Sequence, residues 1–67
     1  MRGRPSRRKI VGRKIKARRK QRGLSQGALA RRLGLSRSGY ANLENGHRDI
    51  RPWLSDVRRA LGIERLH

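Results

Sequence analysis

Arg37, Ser38, Ala41 and Asn42 fall on the side of a short helical stretch opposite Tyr40 and Leu43, which are spaced i, i+3. An asparagine amide and an arginine guanidinium each present two hydrogen-bonding groups in a fixed plane. That suits the paired edges of adenine and guanine respectively, while a serine hydroxyl discriminates less and an alanine methyl can lie against the thymine methyl. All four residues stand towards the N-terminal end of the stretch, the end by which a helix enters a major groove. Gly39, inside the same stretch, costs roughly 1 kcal/mol relative to alanine. Two reasons for it stay open: close approach of the helix to a base or sugar, or a side chain there colliding with the preceding helix.

Such a face is useful only if something holds it. Ser25 is placed to cap a helix in which Leu29, Ala30 and Leu33 share one face, and Gly34 ends it. Ser36 offers a second cap for the helix that carries Tyr40 and Leu43, and Asn45-Gly46 is a pair suited to a left-handed C-terminal turn. Before them, Val11 and Ile15 at i, i+4 predict a helix from about Ile10 to Arg22, stopped by Gly23, with a dense basic face turned to solvent or phosphate and a thin apolar stripe. After them, His47 to Arg51 reads as a loop. Pro52 then opens a helix with Trp53, Leu54, Val57, Ala60 and Leu61 at helical spacing, closed by Gly62. Ile63 and Leu66 can fold back on the bundle as a final turn. The expected fold class is all-α: a small bundle of four short helices, or five if that final turn is counted.

Charge points to the partner. The chain has 20 Lys+Arg against 4 Asp+Glu, a net charge of +16 on 67 residues, which implies a polyanion such as nucleic acid or, less often, an anionic membrane surface. Twelve of the 20 basic residues lie in residues 1–22, and no acid precedes Glu44. Arg2, Arg4, Arg7, Arg8 and Lys9 sit among Gly3, Pro5 and Ser6, so residues 1–9 read as a disordered basic arm and residues 10–67 as one domain. A third of the residues are hydrophobic, so the core is small and the free domain marginally stable.

Several chemistries lack their residues. There is no cysteine for a disulfide, thiol nucleophile or thiolate zinc site, and His47 and His67 are isolated, so no metal or other cofactor is expected. Glu44, Asp49, Asp56 and Glu64 have no paired-acid spacing, and the serines lie in capping or helical contexts rather than a nucleophile elbow. An enzyme is not expected. No apolar run approaches the ~20 residues of a membrane span and the basic N-terminus lacks a secretory hydrophobic segment, so a cytoplasmic protein is the expectation.

Residues 12–63 resemble the helix-turn-helix family of phage repressors and Cro proteins, the XRE family. The resemblance rests on Gly23-Leu24-Ser25-Gln26, Leu29-Ala30, Gly34-Leu35-Ser36, Leu43-Glu44-Asn45-Gly46 and Ala60-Leu61-Gly62-Ile63. It implies a lambda-repressor-like bundle whose recognition helix, about residues 36–45, lies in the major groove. Arg37, Ser38 and Asn42 would then read bases. Ser25, Gln26, Ser36, Asn45, Arg48 and Arg51 would contact phosphates, and Glu44 would pair with Arg19 of the first helix. This chain departs from the family at Gly27 and Ala28, where relatives often carry polar or acidic residues, which weakens the start of the second helix. Tyr40 stands where a branched aliphatic residue is usual and reads as core with its hydroxyl at the rim. Trp53 reads as a packing residue or a dimer contact.

The segment Arg2-Gly3-Arg4-Pro5 resembles the core of an AT-hook, which lays Arg-Gly-Arg in a narrow minor groove; a generic phosphate-binding tail is the alternative. The resulting expectation is a Cro-like repressor of double-stranded DNA, without a small-molecule effector, monomeric or weakly dimeric and paired on two operator half-sites. Sequence-nonspecific nucleic-acid binding is the alternative, and a membrane-active cationic peptide fits the charge alone.

Overall fold

The computed structural model describes residues 6–63. Four α-helices follow in order: α1 (Arg7–Gln21), α2 (Gln26–Leu33), α3 (Arg37–Glu44) and α4 (Leu54–Leu61), with a 3-10 turn over Arg51–Trp53 before the last. Serines start the first three. The hydroxyl of Ser6 accepts from the Lys9 N–H at 3.2 Å, that of Ser25 from Ala28 at 3.0 Å, and that of Ser36 from Gly39 at 3.0 Å. Each satisfies one of the amide donors a helix start leaves unpaired. Gly34 ends α2 with φ 72°, a left-handed residue that turns the chain into α3 within three residues.

The Ser6 cap revises one boundary. The first helix was expected from about Ile10; it starts at Arg7, so Arg7, Arg8 and Lys9 form its first turn rather than the end of an arm. Arginine and lysine are good helix formers once a cap is present, and the apolar pattern that signals a helix begins only at Val11. Arg2 and Arg4, with the Arg2–Pro5 hook-like segment, lie outside the described residues, as does Leu66. Gly62 closes α4 at φ 65° as the sequence predicts, but the α-helix starts at Leu54 rather than around Pro52, because Arg51–Trp53 forms a 3-10 turn of its own.

The core is Val11, Ile15, Leu29, Ala30, Leu33, Tyr40, Leu43, Val57 and Leu61, with Leu24, Leu35, Ile50, Trp53, Ala60 and Ile63 packed around it. Both α3 and α4 pack on α1 and α2. Because α1 brings only Val11 and Ile15 as apolar anchors, its grip depends on close approach. A Cβ at Gly12 would collide with the backbone carbonyls of Leu43 and Glu44, and one at Gly46 would lie 2.9 Å from the Cα and N of Lys9. The first half of α1 therefore sits directly on the C-terminal end of α3. Arg18 ties the other half to α4, its Nε donating to the carbonyl of Leu61 at 3.0 Å.

Candidate nucleic-acid interface

One carboxylate joins three helices. Glu44, at the end of α3, is 5% exposed. Its Oε2 accepts from Arg19 Nε of α1 at 2.6 Å and from the Tyr40 hydroxyl at 2.6 Å, and its Oε1 accepts from Gln26 Nε2 of α2 at 3.0 Å. Arg19 also donates from Nη1 to the carbonyl of Leu24 at 2.7 Å, which fixes the α1–α2 connection. Burial pushes the Glu44 carboxyl up, but the hydrogen bonds from Arg19, Tyr40 and Gln26 outweigh it, and the net displacement is below the ordinary carboxylate value. The hydrogen bond to Glu44 holds the Arg19 guanidinium more firmly protonated despite burial. Burial, then the neighbouring carboxylate, raises the Tyr40 phenol, so it stays a hydrogen-bond donor. Among the described residues no buried side-chain nitrogen or oxygen lacks a partner.

This cluster places the remaining site residues. Tyr40 and Leu43 are buried and Arg37, Ser38 and Asn42 are exposed on the opposite side of α3, with Ala41 half-buried. The hydroxyls of Ser36 and Ser38 lie 3.3 Å apart and share a hydrogen bond. Ser25, Gln26 and Gly27 at the start of α2 share one concave surface with Arg37. Gln26 is held rather than free: one of its amide N–H groups goes to Glu44, which leaves the second as a donor of fixed direction. Asn45 is exposed at the end of α3, in the right-handed region, and Gly46 takes the left-handed turn at φ 76°.

The two loop arginines differ from simple solvated charges. Arg48 lies over the ring of Trp53, 4.6 Å from guanidinium carbon to ring centre. Trp53 is half-buried beneath it, packed on the core. Arg51 is clamped by Asp49: Nε and Nη2 reach Oδ2 at 2.8 and 2.7 Å, while the Arg51 N–H donates to Oδ1 at 3.0 Å. Arg8 Nη2 approaches the same Oδ2 at 4.0 Å. The Arg51 side chain, then its amide, holds the Asp49 carboxyl down at about 2. Arg7, Arg8, Arg48 and Arg51 thus rim one cleft between the start of α1 and the loop after α3.

A side chain at Gly39 would not collide with the preceding helix α2. A Cβ there would lie 3.1 Å from the capping Oγ of Ser36 and 3.3 Å from Nη1 of Arg48, with the Cβ of Leu35 next at 3.8 Å. Its surroundings are the cap and an arginine from the far loop. Sequence reasoning also missed the Tyr40–Glu44 and Gln26–Glu44 bonds, Asp49 as the partner of Arg51, and Gly12. The first had a readable signal in its i, i+4 spacing, and Asp49 stands two residues before Arg51, the spacing of an Asx turn.

A short exposed helix, set against a second helix by a tight turn, with polar outward residues and arginines on its flank, defines a DNA-binding helix-turn-helix module. The helix-turn-helix family model matches residues 15–52, more than half of the chain, and the chain belongs to that family, of the XRE type, whose members are DNA-binding transcriptional regulators. No curated protein matches the chain significantly. Among the described residues there is no helix long and apolar enough to cross a membrane and no metal-ligating cluster.

Proposed function

We propose that this chain is a sequence-specific, Cro-like repressor that occupies an operator in double-stranded DNA, with α3 in the major groove. The observation that carries the reading is the exposed trio Arg37, Ser38 and Asn42 on a helix whose buried side is clamped through Glu44 to both neighbouring helices. A reader must be held firmly to discriminate bases, and the clamp supplies that. Arg37 takes a guanine edge and Asn42 an adenine edge, with Ser38 beside them. Ser25, Gln26, Ser36 and Asn45, with Arg48 and Arg51, meet the phosphates on either side and set the register.

Two protomers occupy half-sites about one helical turn apart. Each is monomeric or weakly associated in solution, because +16 per chain opposes pairing away from DNA. Repression follows from occupancy, which excludes polymerase, and is set by protein concentration without a small-molecule effector.

Selection of bound sequences from a random duplex pool tests the reading, since it returns preferred bases and half-site spacing together. Asn42→Ala should then cost about 1 to 3 kcal/mol on the selected duplex and little on random duplex. Equal weakening on both would show that Asn42 does not read bases, and a pool that returns no preference would leave a nonspecific nucleic-acid binder.

A further inference from the structure

We infer that α1 carries a second DNA-contacting element: a stripe of Lys9, Arg13, Lys16 and Lys20 that grips the phosphate backbone of the same duplex outside the bases α3 reads. The inference rests on the DNA-binding reading above and extends its footprint to a helix that reading leaves idle.

The four residues recur at i, i+4, i+7 and i+11 of α1, and at 3.6 residues per turn they fall within an arc of about 60°. All four are exposed, and none shares an ion pair with a carboxylate among the described residues. The core-facing residues of α1 are Val11, Gly12, Ile15 and Arg19, so the stripe lies to one side of the buried face and next to Gly12. That is the side on which α1 meets α3. Gly12 lies against the carbonyls of Leu43 and Glu44, and the backbone of Lys9 lies against Gly46, the residue after the α3 cap. The stripe thus starts where the recognition helix ends and runs along α1.

The start of α1 at Arg7 is essential to this. It places Lys9 on the helix and sets it in register with Arg13, Lys16 and Lys20. From Lys9 to Lys20 the stripe is about 16 Å long at 1.5 Å per residue. Phosphates on one strand of B-form DNA are spaced about 3.4 Å along the axis, so this length spans about five of them. Charges on a folded helix cost less ordering entropy on binding than the same charges on a flexible tail. The glycines at positions 12 and 46 let α1 approach α3 closely, which brings the start of the stripe next to the end of α3.

The test compares two charge-matched variants of the full chain. One is K9Q/R13Q/K16Q/K20Q; the other, R31Q/R32Q/R58Q/R59Q, removes the same charge from α2 and α4. Affinity is followed against salt on a selected duplex and on a scrambled duplex, each extending a full turn beyond the contacted bases. The stripe variant should flatten the plot of log affinity against log salt by about 3 to 4, and the matched variant by less than about 1. The affinity ratio between selected and scrambled duplex should not change, because phosphate contacts carry no sequence information.

Equal flattening by both variants would overturn the inference in favour of net charge alone, and no flattening by the stripe variant would remove α1 from the interface. Complexes holding two duplexes per protein pair in sedimentation, lost in the stripe variant, would assign the stripe to a second duplex and overturn the same-duplex placement. If the quadruple variant fails to show a cooperative melt, K16Q/K20Q takes its place with half the expected flattening. A parent chain that prefers no sequence would sink base reading by α3, while the slope comparison on any duplex would still decide the stripe.

Discussion

Tyr40 and Glu44 stand one turn apart on α3, and the Tyr40 hydroxyl donates at 2.6 Å to the same carboxylate oxygen that receives Arg19. The α3 helix therefore carries on its buried side both the acid that pins it to α1 and the phenol that orients that acid. A branched aliphatic residue at position 40 would fill the core without touching Glu44. Tyr40→Phe isolates the hydroxyl while keeping the ring. The loss should be about 1.5 to 3 kcal/mol, the range for a hydrogen bond to a charged group, read as a lower urea midpoint with an unchanged slope.

Breaking the ion pair should cost more. Glu44→Ala leaves Arg19, only 7% exposed, without its carboxylate, and loses the anchors of Tyr40 and Gln26 together. About 3 to 5 kcal/mol is expected, as for other buried pairs broken on one side. In a domain this small that can abolish the cooperative melt at room temperature.

The same carboxylate sets an acid limit. Glu44 titrates below its ordinary value of 4.5 in the folded chain, so the unfolded chain takes up its proton first as pH falls. Its stabilisation is complete above that value and is lost as pH drops through the depressed folded value. Thermal melts from about pH 6 to about pH 2 should show this decline. In Glu44→Gln, which has no proton to gain, the decline should shrink to the part that Asp49 contributes, which begins below its ordinary value of 3.8 and runs down to about 2.

These residues also mark where the sequence was informative. Ser25, Ser36, Gly34 and Gly62 are local signals: a cap or a left-handed turn depends on a few neighbouring residues, and each element starts or stops where they stand. The Arg19–Glu44 pairing is 25 residues apart and was legible only through family resemblance. The start of α1 was not legible, because Arg7-Arg8-Lys9 has no apolar period and dense charge reads as disorder, whereas the Ser6 hydroxyl suffices to begin a helix. Gly12 was unreadable for a different reason. Inside a helix it predicts only a cost, and its value lies in two carbonyls that belong to α3.

Gly12→Ala should accordingly destabilise the fold, against the rule that alanine improves a helix interior. The added methyl meets backbone carbonyls, which cannot rotate away as a side chain would, so α1 and α3 must separate. Overpacking of this kind costs about 1 to 3 kcal/mol, more than the ~1 kcal/mol of helix propensity gained. Because the strain falls at Leu43 and Glu44, DNA affinity should drop more than the affinity of an equally destabilised variant in α4. Melting and DNA titration of the two variants side by side measure the difference.

Asp49 sets how strongly the loop after α3 can attract phosphate. One oxygen of its carboxylate, Oδ2, lies 2.8 and 2.7 Å from Nε and Nη2 of Arg51 and so occupies the edge of the guanidinium that a phosphate oxygen would also use. Arg8 lies within 4.0 Å of the same oxygen. A phosphate arriving at Arg51 must therefore compete with an acid already in place. Asp49→Asn removes that charge, yet its amide oxygen can still accept the Arg51 N–H and keep the turn that starts the 3-10 segment. The variant should bind DNA several-fold more tightly, with a steeper salt slope, because the phosphate that meets Arg51 no longer displaces an acid. The gain should be equal on selected and random duplex, so absolute affinity rises without better discrimination. Weaker binding by Asp49→Asn would instead mean that the carboxylate aims Arg51 at the backbone, and the sign of the change in a salt titration decides between competitor and guide.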